Sequence, residues 1–245
     1  MSKENQLKEI HASGKSYAIY KSINGFDLYT DFSKKITLNN KNVSGFLNNK
    51  RISKKPKETD LFIGFVGYEL LNNLIGIKVP KQKSMNFPKG IFYKPEKKIS
   101  YSNNLVNYKT DKIRLKKKFK ININRKSYTK IFDKFKKKIK SGETYQIKIC
   151  TKYKLKSAID PLDFFCRLSK TNLAPEAFMI RDKDYSIISC SPENLITKKG
   201  YLITTKPIAG TVRKNKRMNK TKALSYFRNN LKETKEHNMI VDMER

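Results

Sequence analysis

The stretch that most constrains the fold runs from Ser189 to Arg213. Within it, the side chains of the run 201–206 alternate between two faces, a period of two that is typical of a β-strand. Lys199-Gly200 comes directly before this run, and glycine accepts the positive φ that a tight reversal often needs. The sequence therefore predicts a hairpin that brings Glu193 and the Gly210-Thr211 backbone to the same end of one sheet.

The residues around this hairpin are suited to binding an anion. Glu193 follows Ser191-Pro192 before the hairpin, and Ala209, Gly210 and Thr211 follow it. A carboxyl group beside exposed backbone N–H groups and a hydroxyl can hold a carboxylate substrate and protonate part of it. We therefore expect a substrate site here.

The last residues, 232–245, contain good helix formers and neither glycine nor proline. Helical winding places Met239, Ile240 and Met243 on one stripe, with Glu236 near its middle. A carboxylate on a face that enters the core is costly unless a positive charge meets it. Two interpretations follow: Glu236 pairs with a lysine, or it binds Mg²⁺ together with an anionic ligand.

Three ordered motifs together resemble the chorismate-utilising enzymes, which include the component I chains of anthranilate synthase and aminodeoxychorismate synthase and the isochorismate and salicylate synthases. The motifs are Ser-Pro-Glu at 191–193, Pro-Ile-Ala-Gly-Thr at 207–211 and Lys-Glu-Thr-Lys-Glu-His at 232–237. The resemblance runs from about Ser127 to the last residue. It implies an α+β fold of largely antiparallel sheets with flanking helices.

The resemblance also implies roles for individual residues. Mg²⁺, held partly by Glu236, would bind the ring carboxylate of chorismate, and Ala209, Gly210 and Thr211 would complete that pocket. Glu193 would act as general acid for the departing ring hydroxyl. A separate glutamine amidotransferase subunit is the expected partner, because it would supply ammonia.

Gln146 distinguishes between two nucleophiles. The isochorismate and salicylate synthases have a water-activating lysine at the matching strand position, whereas the two amine-forming synthases have glutamine. A neutral amide cannot serve as a base for water, so the resemblance implies ammonia. Outside the family context, Gln146 would be interpreted as a polar residue on the wet face of a strand.

The choice between the two amine-forming enzymes rests on clues that disagree. Ala209 is typical of anthranilate synthases, since many aminodeoxychorismate synthases have lysine there. The Leu-Glu-Ser signature with which anthranilate synthases bind tryptophan is not found, and the region before Ser127 is short for that enzyme. We favour anthranilate synthase slightly and keep aminodeoxychorismate synthase as the alternative.

The resemblance stops inside a motif. The family continues after Val-Asp-x-x-Arg with Asn-Asp and a long C-terminal part, whereas this sequence ends at Arg245. A second Mg²⁺ carboxylate, a histidine used in pyruvate elimination and further strands would then be missing. The expectation is a truncated chain that binds chorismate poorly and has no turnover.

The charge is unusual, with 55 basic against 21 acidic residues and a net charge of +34. Such a field attracts nucleic acid or anionic membrane without specificity. Only nine of the basic residues are arginine, the side chain that reads bases and phosphates bidentately. The lysine-rich composition therefore indicates codon bias more than a dedicated nucleic-acid reader.

The cysteines and the apolar runs point to a protein of the cytoplasm. Cys150, Cys166 and Cys190 are odd in number and widely spaced, which argues against a disulfide framework or a zinc site. The first ten residues lack the apolar core of a signal peptide. The most apolar run, 61–77, contains polar residues and is short for a membrane span.

The chain is expected to divide into a β-rich part at 1–111, a basic connection at 112–126 and a chorismate-binding catalytic part at 127–245. Strands are predicted at 16–32 as a hairpin around Asn24-Gly25 and at 61–68, 144–155, 177–181 and 185–190, and helices at 69–74, from Ser127 and from Asp160. A long connection with little structure is predicted at 78–104.

Two other classes of function remain open. A basic nucleic-acid-binding protein would need aromatic residues interleaved with arginines, and neither RNA-recognition nor zinc patterns occur. A non-catalytic remnant that still docks the amidotransferase subunit would co-purify with a glutaminase and lack chorismate activity.

Overall fold

The computed structural model describes residues 3–48, 55–76, 87–102, 118–213, 215 and 218–244. The chain forms two compact units, one of Met1–Tyr108 with Pro161–Arg245 and one of Lys109–Asp160. We call them unit 1 and unit 2. The sequence predicts three consecutive parts with different roles, which these two units do not test. That division stays a prediction.

The described residues contain ten strands and seven helices. The strands are β1 (Tyr17–Ser22), β2 (Gly25–Thr37), β3 (Ile63–Val66), β4 (Gly90–Ser102), β5 (Lys120–Ile121), β6 (Tyr153–Lys154), β7 (Glu176–Arg181), β8 (Ser186–Ser191), β9 (Thr197–Lys199) and β10 (Leu202–Thr204). The helices are α1 (Lys3–Ala12), α2 (Val43–Leu47), α3 (Tyr68–Leu74), α4 (Arg125–Lys140), α5 (Pro161–Thr171), α6 (Lys220–Asn229) and α7 (Leu231–Glu244).

Unit 1 is built on a six-stranded sheet with the order β3-β4-β2-β1-β7-β8. Every neighbouring pair in it is antiparallel. Successive side chains of β1 face opposite sides, so that Tyr17 and Ile19 pack with Leu7 of α1 and Phe165 of α5 on one side. Ala18 packs with the second apolar cluster on the other side. The predicted α+β fold of antiparallel sheets with flanking helices is confirmed.

A hydrogen-bond cluster around the buried Asp182 joins four parts of this sheet. The Asp182 carboxylate accepts from Lys35 Nζ at 2.5 Å, from Tyr93 Oη at 2.5 Å and from Ser16 Oγ at 2.8 Å. Tyr185 Oη lies 3.0 Å from Tyr93 Oη. The turn after β7 is thereby fixed to β2, to β4 and to the residue before β1.

Several predicted elements are confirmed. The hairpin around Asn24-Gly25 forms as β1 and β2, and the strand at 61–68 forms as β3, followed by α3. A Cβ added at Gly64 would overlap the carbonyl oxygen of Ile91, so glycine permits the close approach of β3 to β4. The helix starting near Asp160 and the two strands before the Ser-Pro-Glu motif also form.

Two predictions are wrong. The connection expected at 78–104 contains the 13-residue strand β4, although 77–86 and 103–117 lie outside the described residues. β4 is stabilised by pairing with β2, and Pro95 is tolerated because the register shifts at Ser33 beside it. The strand expected at 144–155 is reduced to Tyr153–Lys154, because among the described residues it pairs with Lys120–Ile121 alone.

Unit 2 contains α4 and the short β5–β6 pair. None of the residues of α4, all of which are described, is buried, and its apolar Phe132 and Ile139 are more than 40% exposed. The helix begins earlier than predicted, because Asn124 and not Ser127 caps it: Asn124 Oδ1 accepts from the backbone N–H of Ser127 at 2.9 Å.

Among the described residues, no helix has the length and apolar character needed to cross a membrane.

Candidate functional site

The Glu193 side chain is positioned by the turn that ends β8. Ser191 is the last residue of that strand. Its hydroxyl donates to the carbonyl oxygen of Glu193 at 2.8 Å and accepts from the Glu193 N–H at 3.3 Å. This local turn directs the chain from the large sheet into the hairpin of β9 and β10, which reverses at Gly200 with φ +63° as predicted.

The Glu193 carboxylate contacts the segment after the hairpin. Its Oε1 accepts a hydrogen bond from the backbone N–H of Ile208 at 2.8 Å. Ile208 is two residues before Gly210 in the Pro-Ile-Ala-Gly-Thr motif. The structure therefore brings the two ends of the hairpin together. Glu193, Ala209 and Gly210 are partly buried, and Thr211 is exposed.

Gly210 is where this segment meets α7. Its φ is +79°, a conformation that glycine adopts readily and other residues rarely do. A Cβ added there would lie 2.9 Å from Phe227 Cε1 and closer still to Glu233 Oε2. The absence of a side chain thus lets the Glu233 carboxylate approach the backbone of the loop.

Hydrogen bonds hold α7 at both of its ends. At the start, Asn230 Oδ1 accepts from the Glu233 N–H at 3.3 Å, and Thr234 Oγ1 donates to the carbonyl oxygen of Phe227 at 3.1 Å. At the end, Glu244 Oε2 accepts from Thr205 Oγ1 at 2.6 Å. The first turn of the helix is therefore fixed to α6 and to Asn230, and its last turn is fixed to Thr205, directly after β10.

Glu236 lies between these two attachments and is partly buried. It is three residues after Glu233, a spacing that puts both carboxylates on one side of the helix. The apolar stripe expected around it does not enter a core: no described residue of α7 is buried, and Met243 is 66% exposed. The hydrogen bonds at its two ends hold the helix in place.

The sequence motifs did not predict a role for Glu233, although this residue belongs to the 232–237 motif. Its spacing from Glu236 was the available signal, because two acids one helical turn apart point to the same side. Only the structure brings Glu233 against Gly210. Two neighbouring carboxylates fit Mg²⁺, which is commonly bound by one or two protein carboxylates with water and ligand oxygens.

The described residues contain no cluster of three or more His, Cys, Asp or Glu side chains that could enclose a metal ion. An ion held by Glu233 and Glu236 would therefore need further oxygens from water or from a ligand. Such an arrangement is typical of a metal that binds together with an anionic substrate.

Gln146 lies in unit 2 and is exposed. It belongs to neither a helix nor a strand, and the hydroxyl of Thr144 donates to its backbone carbonyl oxygen at 3.3 Å. The strand that was expected to present its side chain is not formed there. The role assigned to Gln146 therefore stays a prediction.

Comparison with known proteins identifies the family of this chain. A family model described as chorismate binding enzyme matches residues 10–245. The chain belongs to this family. The resemblance seen in three short motifs thus extends over almost all of the sequence, including the β-rich part before residue 127.

Individual relatives come from both amine-forming branches of the family. The aminodeoxychorismate synthase component 1 of Bacillus subtilis is 34% identical over 119 residues, which are 48% of this chain and 25% of that protein. The anthranilate synthase component 1 of Buchnera aphidicola is 28% identical over 238 residues, covering 80% of this chain and 45% of the relative. The chain spans less than half the length of these curated relatives.

A solved structure shares the fold. The crystal structure of anthranilate synthase component I from Streptococcus pneumoniae superimposes with a TM-score of 0.64 at 20% sequence identity. The match covers 94% of this chain and 58% of that one. Nearly all of this chain therefore shares its fold with a part of the Streptococcus pneumoniae protein.

Proposed function

We propose that this chain carries part of the active site of a chorismate-aminating synthase of the anthranilate synthase type. Such an enzyme converts chorismate and ammonia to an aminated aromatic precursor. One observation supports this most directly: a continuous set of contacts runs from Glu193 through Ile208 and Gly210 to Glu233, one turn from Glu236. These are the motifs that the family resemblance connects with chorismate.

Glu193 is proposed as the general acid that protonates the departing ring hydroxyl. The hydrogen bond from Ile208 engages Oε1 and orients the carboxyl group. Delivery of a proton from Oε2 would leave that bond intact. An oriented acid of this kind contributes to catalysis by proton transfer in the transition state.

Glu236, with Glu233 beside it, is proposed to hold Mg²⁺. When bound, Mg²⁺ would supply positive charge for the ring carboxylate of chorismate. Ala209, Gly210 and Thr211 would form the opposite side of that pocket, since Gly210 already lies against Glu233. The backbone N–H groups of this loop are the donors available to an anion there.

Ammonia is proposed as the nucleophile, because glutamine at position 146 cannot activate water as a lysine would. A glutamine amidotransferase subunit is the proposed partner that supplies the ammonia. The relatives are named component 1 of their synthases, which agrees with an enzyme of more than one component. We also propose that the chain lies in the cytoplasm, because its three widely spaced cysteines fit a reducing compartment.

Aminodeoxychorismate is the alternative product. Ala209 favours anthranilate, whereas one of the relatives is an aminodeoxychorismate synthase component. Chromatography of the products formed by a full-length version of the protein, with authentic anthranilate and aminodeoxychorismate as standards, separates the two.

The metal assignment is tested with Glu236→Ala. In a full-length version of the protein, we expect it to abolish Mg²⁺-dependent chorismate turnover with ammonium salts and to weaken binding of Mn²⁺, used as a paramagnetic substitute, by at least about tenfold. Glu244→Gln is the matched control on the same helix, because an amide oxygen can still accept from Thr205. Unchanged Mn²⁺ binding in Glu236→Ala would remove the metal role from this residue.

A further inference from the structure

The residue that follows the proposed general acid has a side chain that bonds to two other elements. Asn194 Nδ2 donates to Glu176 Oε1 at 3.2 Å, and Asn194 Oδ1 accepts from Thr197 Oγ1 at 3.0 Å. Glu176 is the first residue of β7, and Thr197 is the first residue of β9. The Asn194 side chain therefore connects the large sheet with the hairpin of β9 and β10, at the position next to Glu193.

The directions of these two bonds follow from the groups involved. An ionised carboxylate can only accept hydrogen bonds, so the amide nitrogen of Asn194 must face Glu176. The hydroxyl of Thr197 can donate, so the amide oxygen faces that residue. A bond to a carboxylate is charge-assisted and is stronger than a bond between two neutral groups. Asn194 and Glu176 are both partly buried, which limits competition from water.

Glu176 lies beside the turn that carries the acid. It is paired with Ser191 in the antiparallel register of β7 and β8, and Ser191 is two residues before Glu193. The Ser191 hydroxyl fixes the turn on the side before Glu193 through its two hydrogen bonds to the Glu193 backbone. Asn194 fixes the turn on the other side. The backbone of Glu193 is thus held from both directions.

The position of the hairpin also affects the Glu193 carboxylate directly. Its Oε1 accepts from the Ile208 N–H, which lies beyond the far end of the hairpin. A shift of the hairpin relative to the large sheet would move this donor away from Glu193. A misplacement of about 1 Å can lower a catalysed rate by about a hundredfold. A bond between the hairpin and the sheet therefore bears on the geometry of the acid.

We propose that Asn194 is a positioning residue for the general acid, and that its hydrogen bond to Glu176 holds the Glu193 carboxyl group in the orientation that proton delivery requires. This role rests on the proposed function, because it presupposes that Glu193 is the acid. Asn194 acts through Glu193 and transfers no proton itself. An interaction of this kind matters in the transition state, so its loss should lower kcat and leave the KM for chorismate nearly unchanged.

The test uses a nearly isosteric substitution in a full-length version of the protein, assayed with Mg²⁺ and ammonium salts. Asn194→Asp keeps an acceptor for Thr197 but replaces the donor with a second carboxylate that faces Glu176. We expect kcat to fall by at least about tenfold, with the KM for chorismate within about twofold of the wild type. An unchanged kcat, or an increase in KM alone, overturns the proposal.

Two further variants separate the loss of this bond from other effects of the substitution. Glu176→Gln alone keeps an acceptor for Asn194 without the charge, so kcat should fall less than in Asn194→Asp. Combined with Asn194→Asp, it restores a bond of the opposite direction, because the amide at 176 donates to the carboxylate at 194. The double variant should therefore recover kcat to within about threefold of the wild type. Circular dichroism checks that each variant folds, and a double variant that does not recover contradicts the proposal.

Hydrogen exchange of the Ile208 amide separates this inference from the catalytic assignment. The Ile208 N–H donates to Glu193, so its exchange reports the contact without any turnover. Asn194→Asp should speed this exchange by at least about tenfold, and the double variant should reverse the change. If Glu193→Gln retains full turnover, the acid assignment fails, whereas the exchange result still decides whether Asn194 positions the Glu193 side chain. Exchange at the wild-type rate in Asn194→Asp removes the positioning role.

Discussion

Gly210 shows how a single residue can join two elements. Its left-handed backbone conformation turns the loop after β10, and its missing side chain leaves room for the Glu233 carboxylate. The two requirements are separate, since one concerns the conformation of the residue and the other the space around it. They can therefore be measured separately.

We expect Gly210→Ala to lower the free energy of unfolding more than Gly200→Ala does. Both glycines have positive φ, so each substitution introduces a left-handed alanine that costs about 1–2 kcal/mol. A Cβ at Gly200 meets no atom within 4 Å, whereas one at Gly210 collides with Glu233 and Phe227. Overpacking adds roughly 1–3 kcal/mol. Urea unfolding of both variants measures the difference, and equal losses would mean that the loop yields without strain.

Asp182 is a second residue whose own contribution to the stability of the fold can be measured. Burial alone would raise the pKa of its carboxyl group, but hydrogen bonds from Lys35, Tyr93, the Lys183 N–H and Ser16 outweigh burial and hold that pKa well below its ordinary value of 3.8. A group with a lowered pKa stabilises the fold at pH values above its pKa in the unfolded chain. This contribution is lost as the pH falls below about 4.

We therefore expect Asp182→Asn to destabilise the protein by about 1–3 kcal/mol near neutral pH. The difference from the wild type should begin to shrink as the pH falls below about 4 and should shrink further as the pH is lowered, because the wild type progressively loses the same contribution. Free energies of unfolding at several pH values check this. Asp184→Asn changes an exposed carboxylate in the same turn and should have a smaller effect. A difference that does not vary with pH would contradict the lowered pKa.

At the scale of single elements, the start of α4 offers a direct comparison of sequence and structure. Asn124→Ala should destabilise the helix by about 1 kcal/mol, because it removes the side chain that accepts from the Ser127 N–H. Ser127→Ala, at the position predicted as the cap, should change stability by less than about 0.5 kcal/mol. Thermal unfolding followed by circular dichroism measures both. The reverse order of effects would restore Ser127 as the cap.

Strand predictions succeeded at β3 and wherever the partner strand follows directly in the sequence. β1 and β2 follow directly from Asn24-Gly25, and β7 and β8 from the short turn between them. The pattern at 144–155 was equally regular, yet nine of its residues, 144–152, form no strand. β4, which is rich in lysine and contains Pro95, forms because β2 and β3 pair with it on both sides. Whether a partner strand is available decides if 144–152 and β4 form strands. The local sequence pattern carries no information about that partner.

The sequence predicts the contacts of the candidate site that join residues close together in the chain. Glu193 and Ile208 are 15 residues apart, and a hairpin between them brings them together. The contact of Glu233 with Gly210 depends on how α7 lies along the loop, and no periodicity in the sequence specifies that. The role of Gln146 depended on a strand that does not form at that position, so the sequence pattern was a poor guide to its surroundings.

At the scale of the whole molecule, the net charge of +34 should produce binding to nucleic acid that has no sequence preference. We expect affinity for short DNA duplexes to fall steeply as salt rises, and to be the same for unrelated sequences. Fluorescence anisotropy with two duplexes over a range of salt measures this. A preference for one sequence of more than about tenfold would favour the alternative of a dedicated nucleic-acid-binding protein.

The central pairing of the large sheet also governs when this protein can fold during its synthesis. Ser16, the residue before β1, and Asp182, the residue after β7, form a hydrogen bond across 166 residues of chain. At roughly 5–20 residues per second, the ribosome needs on the order of ten seconds or more to deliver the second after the first. For that interval the edge of β1 that pairs with β7 has no partner, and the nascent chain is exposed to pairing with other chains there.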